Sequence, residues 1–364
     1  MVVAKMLRYL SLFVIVFLIN DISSENPPDS MTTEEINLLN PDMEKALDDL
    51  ETIAASAEKL NNIEAPQIAE DPEIFYDEMI QVLNNIIEAV KNSNNAYKFL
   101  KANGLDRIVS QNLKVEYDKL KTKILILLKV LFEVAPTTTS AVIPITVVDK
   151  LLDVFEKDNL ALKAHALDVL YLWLPENPRV QSRVMKIKGL APFYDQVTNL
   201  DTAVIKTLLD LFNIILKEHL KARSDVQRTV IDNDKMKFYL RIGLLEHMST
   251  PAVCNGLLNI FIKSWSYNND DNNIIVTVFD LVKNIKPFCL KLYRGKMKAK
   301  KLFMTLQDYV KDTENIEYFE TNGLNVTDIS LVIEDYVEKL KYSVKDEMIL
   351  YNDPTFTMYF HIYL

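Results

Sequence analysis

Tyr97-Lys98-Phe99-Leu100-Lys101-Ala102-Asn103-Gly104-Leu105, Arg183-Val184-Met185-Lys186-Ile187-Lys188-Gly189-Leu190 and Phe238-Tyr239-Leu240-Arg241-Ile242-Gly243-Leu244 are three versions of one phrase. Each is helical pattern, then glycine, then leucine. The 364-residue chain has only six glycines, and three of them fall at these junctions. A glycine placed there ends one helix with a left-handed residue and lets the next helix leave at an angle.

Gly104 and Gly189 lie 85 residues apart, about two units of the ~40–47-residue period of armadillo and HEAT repeats. The segments around them carry apolar stripes at helical spacing. Phe75, Met79, Val82, Leu83, Ile86, Ile87 and Val90 form the first stripe, and Tyr117–Val134 forms a longer one. Ile145–Phe155, Leu160–Leu174, and Ala203–Leu220 continue the series. In the second unit Pro144-Ile145 stands where glycine-leucine is expected, and proline also interrupts a helix. A polar insertion, Lys221–Lys235, accounts for the wider gap before Gly243. The pattern predicts an all-α fold, an armadillo-like α-solenoid of about four repeats with flanking capping helices. Repeats are expected over residues 73–268, with a C-terminal helical cap and tail over 269–364. The cap comprises Ile274–Val282, Lys298–Tyr309 and Ile329–Tyr342.

A hydrophobic content of 49% with 25% charged residues fits a folded chain with a sizeable core. The net charge of −10 is unevenly spread. Residues 25–78 hold 16 acidic side chains against Lys45 and Lys59, a net −14, whereas residues 79–364 carry +3. Without a long basic stripe, nucleic acid is not the expected partner. Lys5 and Arg8 followed by the apolar run Leu10–Ile19 and then Ser23-Ser24 read as a secretory signal peptide over residues 1–24. That run is shorter than the ~20 residues of a membrane span, so no membrane association is expected after its removal; an uncleaved anchor is the alternative. Residues 25–72 form an acidic, proline-containing leader expected to be largely disordered, apart from a helical stripe (Met43, Leu47, Leu50, Ile53) within Asp42–Leu60.

Phosphate loops, dinucleotide fingerprints, a Gly-x-Ser-x-Gly elbow and a His-Glu-x-x-His helix are all missing from the sequence. The four histidines, His165, His219, His247 and His361, lack metal-ligand spacing. No catalytic residue, cofactor or metal is therefore expected. Cys254 and Cys289 are the only cysteines: in an oxidising compartment they are a candidate disulfide, and two buried thiols are the other reading. Asn325-Val326-Thr327 is a glycosylation sequon. The third helices of two units overlay, Leu167-Asp168-Val169-Leu170-Tyr171-Leu172 on Leu209-Asp210-Leu211-Phe212-Asn213-Ile214. Their leucines, with Trp173 and Trp265, read as core. Their polar positions, Lys163, Asp168, Tyr171, Lys206, Asp210, Asn213 and Lys217, are the expected partner-binding set on the concave face.

Together these features resemble the Sil-type nucleotide exchange factors of the endoplasmic reticulum. The likeness spans roughly residues 72–345 and rests mainly on Leu160–Leu167 through Val184–Leu190, and on Met236–Leu245. The resemblance implies a monomer of the endoplasmic reticulum lumen that binds the nucleotide-binding domain of the heat-shock chaperone BiP and promotes ADP release. The signal peptide favours this lumenal branch over cytosolic relatives. One departure is the terminus His361-Ile362-Tyr363-Leu364, which lacks the acidic pair of the usual retention tetrapeptide. The alternative is a secreted or lumenal helical-repeat scaffold with no chaperone link.

Overall fold

The computed structural model describes residues 72–224, 230–266 and 273–340, with Lys45, Ala46 and Asp48. The expected signal peptide, most of the acidic leader and the terminal His361–Leu364 lie outside the described residues. Among the described residues the fold is all helix. The chain enters through α1 (Pro72–Val90), α2 (Ser93–Lys101) and α3 (Gly104–Asn112) to α4 (Asp118–Val134). A second unit is α5 (Pro136–Val142), α6 (Val147–Lys157) and α7 (Leu160–Trp173). The third is α8 (Pro178–Ile187), short α9 (Ala191–Asp195), a 3-10 turn at Val197–Asn199, and α10 (Thr202–Ser224). The fourth comprises α11 (Val230–Ile242), α12 (Leu244–Met248) and α13 (Pro251–Ser266). Then come α14 (Asn273–Tyr293), α15 (Met297–Lys311), α16 (Thr313–Thr321) and α17 (Val326–Lys339).

The long helices stack side by side in chain order, α1 on α4, α4 on α7, α7 on α10, α10 on α14 and α14 on α17. This ladder makes the molecule an α-solenoid. Its rungs share one continuous core. Leu120, Ile124, Leu127, Leu128 and Leu131 of α4 are fully buried, as are Ala166, Leu167, Val169 and Leu170 of α7. Each such leucine contributes about 1.5–3 kcal/mol by leaving water. Helix α7 is apolar around most of its circumference because it is covered by α4, α6 and α10. Trp173 is buried against Phe132, with ring centroids 5.8 Å apart, and Trp265 packs edge-on to Tyr309 at 5.0 Å. Trp173 belongs to the core, whereas Trp265 is half-buried and packs against it.

Two of the three glycines act as the phrase predicts. Gly189 and Gly243 have φ of 61° and 68° where α8 and α11 end. Gly104 differs. Here Asn103 takes the left-handed conformation, φ 57°, and Gly104 opens α3. A Cβ on Gly104 would overlap the buried Phe99 ring, so glycine is needed there for close packing. The polar insertion is less separate than its composition suggests, since α10 extends to Ser224 and α11 begins at Val230.

The C-terminal cap also departs from the expected boundaries. Helix α14 runs on to Tyr293 through Pro287. Proline removes a donor from a helix interior, but Ile285, Cys289, Leu290 and Tyr293 are buried along the same element and hold it in place. A Cys254–Cys289 disulfide joins α13 to α14. Beside it Tyr293 donates to the Cys254 carbonyl at 3.0 Å, and Tyr336 to the Val282 carbonyl at 3.1 Å. Tyr336 stacks on Phe303 at 4.0 Å, fixing α17 to α15. No described helix is long and apolar enough to cross a membrane.

Candidate functional site

The polar positions of the ladder helices divide into two kinds. Across α4, α7 and α10 lies an open groove of about 360 Å³, lined by Lys129, Glu133, Asp168, Tyr171, Lys206 and Asp210, with Leu172 and Thr207. Asp168 accepts from Lys129 at 2.9 Å, bridging α7 to α4. That hydrogen bond raises the pKa of the Lys129 ammonium above the ordinary lysine value. Tyr171 is half-buried, and burial together with the neighbouring Asp210 carboxylate raises its phenol pKa. Lys206 makes no ion pair among the described residues and is half-exposed. The groove therefore offers a neutral phenol, carboxylates and an uncommitted ammonium on a helical floor. Such a surface suits polar recognition of another macromolecule.

The sequence-derived set is only partly united there. Asp168, Tyr171, Lys206 and Asp210 converge as expected from the overlay. Lys163 does not. It is 7% exposed, and its Nζ donates to the carbonyls of Phe155 and Glu156 at 2.9 and 2.7 Å and to Gln196 Oε1 at 2.8 Å. Burial lowers its pKa, while Asp158 and Glu156 oppose that shift. Lys163 thus closes the end of α6, supplying donors to carbonyls that the helix leaves unmatched. Asn213 is also buried: it donates to Asp280 and accepts from Asn284 at 2.6 Å. Lys217 is exposed but pairs with the same Asp280. These three belong to interhelical joints rather than to the groove. Asp210 serves both, since it also accepts from Thr277 at 2.7 Å.

Lys129, Glu133 and Thr207 escaped the sequence reading. They occupy the same ladder face one helix earlier or one residue further on, so extending the overlay to α4 would have found Lys129 and Glu133. Behind the ladder sits a second polar network. Gln181 and His219 Nε2 are 2.9 Å apart, Tyr239 donates to Glu218 at 3.0 Å, and the His219 and Tyr239 rings meet edge-on at 4.6 Å. Burial, helped by the Arg223 charge, lowers the His219 pKa to about 4. Asn325 is exposed, and its Oδ1 caps α17 by accepting from the Asp328 N–H at 3.1 Å. His165 is half-buried on α7. No cluster of three or more His, Cys, Asp or Glu side chains among the described residues is placed to hold a metal ion.

No family model matches the chain. No curated protein matches it either. Among solved structures, it is similar to a designed armadillo repeat protein at 11% identity and a TM-score of 0.40, with 80% of this chain and 100% of that chain covered. It is also similar to a designed armadillo repeat protein in complex with the peptide (KR)4, at 10% identity and a TM-score of 0.43, covering 79% and 99%. The stacked ladder of helices makes the chain an all-α solenoid.

Proposed function

We propose that this protein is a nucleotide exchange factor for the lumenal chaperone BiP, acting as a binding protein without catalytic residues or cofactor. The observation that carries the reading is the groove across α4, α7 and α10, where Asp168, Tyr171, Lys206 and Asp210 converge on a rigid helical floor. The likeness of Leu160–Leu190 and Met236–Leu245 to Sil-type factors supports it. The Cys254–Cys289 disulfide supports an oxidising compartment, where such bonds persist. The groove would grip one lobe of the chaperone's nucleotide-binding domain and hold it turned away from its neighbour. ADP is held between those lobes, so factor and nucleotide oppose each other through one reciprocal coupling free energy. A ~100-fold weakening of ADP corresponds to about 2.7 kcal/mol, and nucleotide loosens the factor by the same ratio.

Stopped-flow release of a fluorescent ADP analogue from BiP tests this. Saturable acceleration by the purified chain, lost in a Tyr171→Ala/Lys206→Ala variant of unchanged helicity, is the expected result. Absence of acceleration at high factor concentration would overturn the reading. A helical-repeat scaffold with no chaperone link is the alternative reading. Its signature is a chain that neither accelerates ADP release nor co-purifies with BiP in an ATP-releasable form.

A further inference from the structure

We infer that the turn joining α14 to α15 is a docking surface for an acidic peptide, and that its occupant is the chain's own leader, residues 25–44. Residues 291–301 contain Lys291, Arg294, Lys296, Lys298, Lys300 and Lys301 and no acidic side chain. Elsewhere in the solenoid many cations are matched across helices, as in Lys121–Asp158, Arg183–Asp149, Lys188–Glu156 and Lys286–Asp335. Lys291, Arg294, Lys298 and Lys301 are exposed and form no ion pair among the described residues. Lys296 donates to Asn255 and lies 5.9 Å from the Tyr293 ring centroid.

The fold holds these charges together. Gly295, φ 76°, makes the reversal that brings the end of α14 beside the start of α15. Lys298 and Lys301 are three residues apart and share one side of α15, where like charges repel. The first turn of α15 contains no acidic residue, and positive charge there also opposes the helix dipole. A carboxylate-rich strand would relieve both effects at once.

Residues 25–44 have the complementary chemistry: Glu25, Asp29, Glu34, Glu35, Asp42 and Glu44, with no lysine or arginine. Their point of departure is set by the structure. Asp48 pairs with Arg107 of α3 at 2.7 Å, and Ala46 packs against the core. From Asp48 back to Glu25 an extended chain reaches up to about 80 Å. The ladder from α4 to α14 is three steps, about 30 Å at 8–10 Å each, so the leader reaches the turn with slack. A nucleic acid fits less well, because the chain's net −10 opposes a polyanion and Tyr293 is buried, unavailable for base stacking. The inference stands independently of the exchange-factor reading.

Carbodiimide crosslinking of the purified full chain, read by mass spectrometry with mixed light and heavy isotope-labelled chains, tests it. The expected result is same-isotope links from Glu25, Asp29, Glu34 and Glu35 to Lys291, Lys298 and Lys301, since Asp42 and Glu44 lie within about 20 Å of chain from the Asp48 anchor. They should fall at least about tenfold in about 0.5 M salt, where the Debye length drops to ~4 Å. Because Lys→Glu changes remove the reactive amines, the geometry is checked by a second variant. Arg294→Glu, which keeps all three lysines, should reduce the links, and Arg294→Lys should restore them. Absence of leader-to-turn links, or links unchanged by salt and by Arg294→Glu, would overturn the inference. Links joining light to heavy chains would also overturn it, by making a second copy the occupant. Heparin binding that is equally tight before and after changing all six leader acids to amides would overturn it too, by showing an unoccupied polyanion surface.

Discussion

The two halves of the ladder use the same helix face in opposite ways. From α4 to α10, neighbouring helices leave polar side chains half-exposed around an open groove, and the Lys129–Asp168 ion pair there is only half-buried. From α10 to α17, the equivalent positions are consumed. Thr277 bonds Asp210, Asp280 collects Asn213 and Lys217, Asn284 bonds Asn213, and Lys283 pairs with Asp328. A disulfide and a Tyr293–Phe303–Tyr336 cluster reinforce the second half. Position on a repeat therefore does not by itself decide whether a side chain binds a partner. What decides is whether the next helix brings a complementary group within hydrogen-bond reach.

The sharpest way to test that contrast is to remove the reinforcement. Replacing Cys254 and Cys289 by serine opens a loop of 35 residues in sequence separation, which should cost about 4 kcal/mol by the chain-entropy relation. Chemical denaturation of variant and wild type measures it, and a loss confined to α13–α17 by hydrogen exchange would show that the halves differ in kind. Acid should act next, at the junction between them. Above pH 6.5 neither folded nor unfolded chain protonates His219. Between pH 6.5 and about 4 only the unfolded chain binds the proton, so stability falls through that window. The accumulated loss from this group is about 3 kcal/mol, and a His219→Gln variant should flatten that part of the profile.

Single side chains then separate joint from groove. Asn213→Ala leaves Asp280 and Asn284 with a lost partner and should cost about 2 kcal/mol without changing the ADP-release effect that the proposed exchange function expects. Lys206→Ala should do the reverse, staying within about 0.5 kcal/mol in denaturation while weakening partner binding. Smallest is Asp168→Ala, whose half-exposed pair with Lys129 is worth under about 1 kcal/mol. Equal stability losses for Asn213→Ala and Lys206→Ala would erase the distinction drawn here.

Much of the architecture was legible because it depends on local, periodic signals. The apolar stripes of α4, α7 and α10 specified helices, and glycine phrases marked the joints. The overlay of Asp168 on Asp210 placed both on one ladder face, and Tyr171 with Lys206 followed. Lys163 and Asn213 were misplaced for a physical reason. Helical spacing tells which face a residue leaves from, but not whether a carbonyl of α6 or a carboxylate of α14 waits there. The same limit applied at Gly104, where the phrase is right and the role is not, because the Phe99 ring that excludes a Cβ arrives by packing. Sequence alone thus determined the helical content, the repeat and the uneven charge, all written in neighbouring residues. Tertiary structure alone decided that Cys254 meets Cys289, that Asp280 takes up Asn213 and Lys217, and that Lys206 is left facing solvent, since each depends on residues far apart in the chain meeting across helices.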